Sequence, residues 1–303
     1  MVRPVWNSRT RGEDPSAVPE GPAAATGRVS RSEKGQAMDL TGRKVLITGA
    51  NRGVGAALVG AALSRQATTV AAAARDTASL PRFPDPARIV PVRLDVTDRA
   101  QIVAAARAPG DIDLLVCNAG ITCQRPVLSD VTEATLREVL EVNFFGPLRL
   151  ARAFAPSLRR PGSGVIFVLS VSAVALSRSA PIYSASKAAC LMLALDLREE
   201  LRETGGTVTV VLPGFIDTDM GAAFGNTAKA TPAQIAELSL DGWLAGQHTI
   251  WPDRFAELVR DAVGEPFRAL LDEPRQVMTG LHAAFRDSGR AGYLSESSTG
   301  LDS

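Results

Sequence analysis

The sequence predicts an α/β fold: one doubly wound parallel sheet with helices on both faces. Two features carry that expectation. Short apolar runs of strand length alternate with helix-length segments between residues 44 and 212, which implies crossover connections between parallel strands. The strand-like runs are largely apolar, as expected of strands covered on both faces. A hydrophobic content of 46% is ample for one core of this kind.

The elements follow in order. Val45-Leu46-Ile47-Thr48 is the first strand and ends in a glycine-rich turn. Residues 54–65 form an Ala/Leu-rich helix, and Thr69 to Ala73 a second strand. Ile89 to Leu94 reads as a third strand, somewhat demoted by Pro91. Asp98 to Arg107 is a short helix capped by Thr97 or Asp98. Ile112 to Val116 is a fourth strand. Thr132 to Leu158 reads as a long helical stretch, kinked or broken by Pro147 and Pro156. Gly164 to Ser170 is a fifth strand, Ile182 to Arg202 a long helix, and Val208 to Leu212 a sixth strand.

Both ends differ in composition. Residues 1–38 are rich in Pro, Gly, Ala, Ser and Arg and lack hydrophobic periodicity, so they are expected to be a disordered extension. Met38 opens the folded pattern and is a plausible natural start. The expected domain spans residues 39–285, followed by a flexible tail over 286–303. A net charge of +1 offers no electrostatic footprint for nucleic acid or a membrane surface. Cys117, Cys123 and Cys190 are too few for a disulfide framework or zinc cluster, and a reducing, cytoplasmic setting is expected. His248 and His282 have no partners at metal-ligand spacing.

Thr48-Gly49-Ala50-Asn51-Arg52-Gly53-Val54-Gly55 joins the first strand to the first helix. Glycines there permit a tight turn and let backbone N–H groups approach a pyrophosphate at the helix N-terminus, the Rossmann-like arrangement. Such turns also occur without a nucleotide. An NAD site commonly has an acid about 20 residues beyond the glycines. Here Ala74 and Arg75 stand at that point. Arg52 and Arg75 could flank a 2′-phosphate, which favours NADP(H) over NAD(H), with Asp76 as a rival acid.

Tyr183 and Lys187 lie four residues apart, on one face if the segment is helical. The chain has two tyrosines, the other being Tyr293 in the polar tail, and four lysines among 33 basic side chains. Where any cation would serve, this sequence uses arginine. A lysine one turn after the folded region's tyrosine therefore suggests a need for a compact ammonium, which arginine lacks. An ammonium beside a phenol favours the phenolate and suits it to acid–base chemistry. The bland alternative is an exposed helix with an incidental pair.

Together these residues give a resemblance. The chain from about Leu40 to Arg260 resembles the short-chain dehydrogenase/reductase family, of the compact single-domain type. The glycine turn matches its T-G-x-x-x-G-x-G motif, and Cys117-Asn118-Ala119-Gly120 matches N-N-A-G with Cys in the first place. Asp95 in Leu94-Asp95-Val96-Thr97 matches the acid at the adenine, Asn143 the helix Asn of the catalytic tetrad, and Tyr183 and Lys187 Y-x-x-x-K. Pro213-Gly214-Phe215-Ile216-Asp217-Thr218 matches the P-G motif beside the nicotinamide. Ser170, thirteen residues before Tyr183, fits the family's serine better than Ser172.

The resemblance implies hydride transfer between NADP(H) and a carbonyl or alcohol. Ser170 would hold the carbonyl oxygen, Tyr183 would exchange the proton, and Lys187 would bind the ribose. Asn143 would hold a water leading to Lys187, with a helix Asn bonded to nearby backbone as its alternative. Gly49, Asn51, Gly53, Val54, Gly55, Asn118, Ala119, Gly120, Pro213, Gly214, Ile216 and Thr218 would cradle the cofactor. Ala173, Val174, Leu176, Ile182, Phe215 and the stretch from Met220 to about Leu238 are candidate lining for a small, apolar substrate. Homodimers or homotetramers are expected, with Ala188, Ala189, Leu191, Leu193 and Ala194 making the Tyr183 helix apolar on much of its circumference. The rival reading is a cofactor-binding redox sensor without turnover.

Overall fold

The computed structural model describes residues 40–107, 110–177, 179–221 and 229–287. The expected N-terminal extension lies outside the described residues, as does the expected tail apart from residues 286 and 287. Those two close the last helix rather than starting a tail.

Seven parallel strands form one sheet in the order β3-β2-β1-β4-β5-β6-β7. They are β1 (Lys44–Thr48), β2 (Thr69–Ala74), β3 (Ile89–Arg93), β4 (Leu114–Cys117), β5 (Gly164–Val168), β6 (Thr207–Val211) and β7 (Thr249–Ile250). The helices are α1 (Gly53–Ser64), α2 (Arg99–Arg107), α3 (Glu133–Leu140), α4 (Gly146–Ala153), α5 (Ala155–Leu158), α6 (Pro181–Arg202), α7 (Pro232–Leu244), α8 (Arg254–Asp272) and α9 (Pro274–Asp287).

Successive strand residues point to opposite faces, and the core divides accordingly. Val45, Ile47, Val70, Ala72, Leu114 and Val116 pack with α1 and α7. Leu46, Ala71, Leu115, Val165 and Phe167 pack with α2, α4 and α6. The doubly wound α/β architecture is as the sequence predicts. β3 lies at the sheet edge, where Pro91 is tolerated. Asp98 is the cap of α2: its Oδ1 accepts from Ala100 N and Gln101 N at 2.9 and 3.1 Å. The helical stretch from Thr132 to Leu158 is broken, as its prolines imply, into α3, a π turn over Glu141–Phe145, α4 and α5. Pro147 and Pro156 each stand in the first turn of a new helix, where a missing N–H costs little.

Beyond the sixth strand the chain adds elements that the sequence pattern does not mark. β7 has only two residues, too short for a periodic signal, and the α7, α8 and α9 helices went unassigned. A buried arginine ties this last part to the sheet. Arg198 on α6 is 3% exposed. Its Nε donates to Val208 O at 3.2 Å, one terminal nitrogen to His248 O at 2.8 Å and the other to Leu271 O in the last turn of α8. Burial lowers its pKa to about 10, against the pull of Asp272, Glu199 and Glu273. α8 itself is two helical pieces joined at Gly264, whose φ of 77° suits glycine.

Arg198→Met would leave three carbonyls without their donor, at about 1–3 kcal/mol for each one that finds no substitute. We expect the melting temperature to fall by roughly 5–15 °C. Hydrogen exchange should rise in α8 before it rises in β1.

Candidate active site

The glycine-rich turn sits where β1 adjoins β4, the point at which the strand order reverses and α/β sheets open a crevice. Thr48 organises it. Its Oγ1 donates to Val116 O at 3.1 Å and accepts from Asn118 N and Ala119 N at 3.0 and 3.1 Å. Asn118 returns the link, with Nδ2 donating to Thr48 O at 2.8 Å and Gly49 O at 3.3 Å. Gly49 and Gly53 have φ of 67° and 53°, the left-handed region. Gly55 leaves no room: a Cβ there would lie 1.9 Å from Gly49 O and 2.6 Å from Asn118 Nδ2.

A cavity of about 640 Å³ opens over this turn. Gly49, Asn51, Arg52, Gly53, Val54, Gly55, Arg75, Asp95, Val96, Asn118, Ala119, Gly120, Tyr183, Lys187, Pro213, Ile216 and Thr218 line it. Gly214, expected with them, lines a second cavity instead, of about 300 Å³. The residues fit a dinucleotide. The N-terminus of α1 faces the cavity with no side-chain cap from Arg52 and no acidic residue in its first turn, so it can take a phosphate. Arg52 pairs with Asp219 at 3.5 Å, both exposed. Asp76 caps a short turn, its Oδ1 accepting from Ala78 N at 2.9 Å. Asp95 accepts from Thr97 N and Thr97 Oγ1 at 2.9 and 2.7 Å.

Tyr183 lines both cavities. Lys187 lies one turn further along α6, with Nζ 5.6 Å from the centre of the Tyr183 ring. The ammonium is buried and donates to Val168 O at 3.0 Å, which leaves two of its three N–H groups for other partners. Ser170 is buried in the second cavity, and its Oγ accepts from Ser172 N at 3.1 Å, so its own hydrogen is free to be donated elsewhere. Asn143, in the π turn, is 1% exposed. Its Oδ1 accepts from Ile121 N at 2.9 Å, while Nδ2 donates to Ile121 O and Ser186 Oγ at 2.8 and 2.9 Å. A Cβ at Gly120 would lie 3.3 Å from Asn143 Oδ1 and 3.5 Å from Lys187 Nζ, so both atoms border the same gap.

Leu176, Phe215 and Met220 line the second cavity as expected, and among the described residues no charged side chain does. Ala173 and Val174 pack against the core instead, and Ile182 lines neither cavity. Of the Met220–Leu238 stretch, residues 222–228 lie outside the described residues. Phe255 lines the second cavity unforeseen, since nothing local marks it. Cys117, in the place of the family's first Asn, is buried, and burial pushes its thiol well above the ordinary value. The same cause raises the Cys190 thiol to about 11. Both are packing groups. Among the described residues no His, Cys, Asp and Glu cluster could hold a metal ion, and no helix is long and apolar enough to cross a membrane.

Fold and cavity together define an α/β protein with a cleft suited to a dinucleotide. The short chain dehydrogenase family matches residues 43–229. A short-chain dehydrogenase of Penicillium crustosum is 38% identical over 182 residues, 58% of this chain and 66% of that protein. An uncharacterized oxidoreductase of Staphylococcus haemolyticus is 33% identical over 211 residues, 66% of this chain and 90% of that protein. A crystal structure of a Burkholderia cenocepacia short chain dehydrogenase in complex with NADP superposes with a TM-score of 0.70 at 33% identity, covering 81% of this chain and 98% of that one. The chain belongs to the short-chain dehydrogenase/reductase family.

Thr48→Val keeps the shape but removes the acceptor for two backbone N–H groups, at about 1–3 kcal/mol each. We expect a melting temperature lower by roughly 4–12 °C and weaker dinucleotide binding by fluorescence titration.

Proposed function

We propose that the protein is an NADP(H)-preferring reductase or dehydrogenase, acting on the carbonyl or alcohol of a small apolar substrate with Tyr183 as acid–base group. The observation that carries this reading is the position of Tyr183, shared by the two cavities, with the buried Lys187 ammonium beside it. The chemistry of NADP(H), when bound, is hydride donation or acceptance at carbon.

The chain's own residues do the rest. Thr48, Asn118 and the glycines shape the cradle for the pyrophosphate. Arg52 and Arg75 would hold a 2′-phosphate, for which Arg52 would exchange Asp219. Asp76 is a poor competitor for a ribose hydroxyl, because one of its oxygens is already a cap. Ser170 donates its hydroxyl hydrogen to the substrate oxygen. Tyr183 delivers a proton to that oxygen in reduction and removes it in oxidation. Lys187 stabilises negative charge on the phenol oxygen and uses a remaining N–H on the ribose. Asn143 fixes the Ile121 loop against α6, and a water beside Gly120 would join its Oδ1 to Lys187 Nζ. The exposed Met192 on α6 and Phe145 in the π turn suit a homo-oligomeric contact.

Turnover of NADPH and NADH against a panel of apolar ketones and aldehydes tests this. Tighter binding and faster turnover with NADPH are expected. Tyr183→Phe should keep fold and cofactor binding while losing about two to four orders of magnitude in turnover. Tighter binding of NADH would overturn the cofactor preference, and an unimpaired Tyr183→Phe the assignment of the proton donor.

A further inference from the structure

The second cavity has a wall supplied by the first turn of α8, outside residues 43–229. Asp253 caps this helix: its Oδ1 accepts from Ala256 N at 2.9 Å. Its Oδ2 accepts from Gly214 N at 2.7 Å, across 39 residues of chain. Asp253 is 8% exposed, and each of its carboxylate oxygens is engaged by a backbone N–H in this buried setting. It fastens the loop after β6 to α8. Two residues on, the Phe255 ring lies 4.6 Å from that of Phe215, at 38° to it. The fit is close, since a Cβ on Gly214 would stand 2.7 Å from Asp253 Oδ1 and 2.9 Å from Phe255 Cδ1. Phe255 still has 39% of its surface exposed, and it lines the cavity that also holds Ser170 and Tyr183.

We propose that Phe255, positioned through Asp253, selects substrates with an aromatic ring next to the reacting carbonyl or alcohol carbon. The proposal rests on reading the second cavity as the carbonyl site. The partly exposed Phe255 ring, packed on Phe215, faces a cavity that no charged side chain lines among the described residues. Aromatic contact adds to the burial of equal apolar area, about two- to tenfold in affinity. Phe255 touches the substrate ring. Asp253 is a positioning residue, acting through Gly214 and the start of α8.

Acetophenone and cyclohexyl methyl ketone share a carbon skeleton and differ in the aromaticity of the ring. Calorimetric titration of each into the full chain, beside NADPH turnover, is the test. The parent should bind acetophenone about threefold or more tightly, with the same preference in KM. Phe255→Leu keeps apolar bulk and should bring the ratio close to one. Asp253→Ala should do the same, whereas Asp253→Asn, which keeps one acceptor oxygen, should retain part of the preference. Equal affinities in the parent, or an unchanged ratio in Phe255→Leu, would overturn the proposal. If the Asp253 variants lower the melting temperature but leave the ratio intact, the positioning role falls. If the parent prefers acetophenone in binding and Phe255→Leu abolishes that preference, yet neither ketone is reduced, ring recognition by Phe255 is upheld and the reading of this cavity as the site of carbonyl reduction is overturned.

Discussion

The hydroxyl of Thr48 is a small group on which much of the molecule depends. At the reversal of strand order the ends of β1 and β4 must each turn sharply away, which strips backbone groups of ladder partners. Thr48 Oγ1 serves three of them at once, and Asn118 answers with two donations to the opposite strand's turn. This reciprocal clamp sets the spacing between the glycine-rich turn and the segment leading to Gly120. Gly55 follows from it, because Asn118 and Gly49 already fill the volume of any side chain. The cradle is thus prepared before a cofactor arrives, and binding need not spend energy on ordering it.

A second constraint is the burial of Lys187. An ammonium removed from water is expensive unless it is bonded and opposed by developing negative charge. Val168 O gives it one partner, and the phenol of Tyr183 lies within reach of its field. The remaining donors point to a site made complete by ligands. Asn143 supports the arrangement by pinning the Ile121 loop and Ser186, whose hydroxyl in turn donates to Tyr183 O at 2.7 Å. The π turn that carries Asn143 separates α3 from α4 and lets the side chain point inward.

What was legible in the sequence was local. Strand alternation, the glycine spacing and the interval between Tyr183 and Lys187 are all set within a few residues, and they point to the sheet and to most of the cofactor cavity. What escaped depends on distant partners. β7 owes its two-residue pairing to β6 rather than to any propensity of its own. Gly214 was expected with the cofactor cradle, yet the bond from its N–H to Asp253 and the ring of Phe255 bring it into the second cavity. Phe255 itself gives no signal until α8 is placed. The breaks at Pro147 and Pro156 were legible because proline acts locally, whereas the π turn over Glu141–Phe145 carries no such mark.

Lys187→Arg tests the central claim most directly. It keeps the positive charge while replacing a compact ammonium by a planar fork that cannot take the same partners in the same space. On a ketone that the parent reduces with NADPH, with the variant's melting temperature measured alongside, turnover should fall by about a hundredfold or more. Near-parental turnover from a folded Lys187→Arg variant would contradict the account, because any positive charge at that position would then suffice.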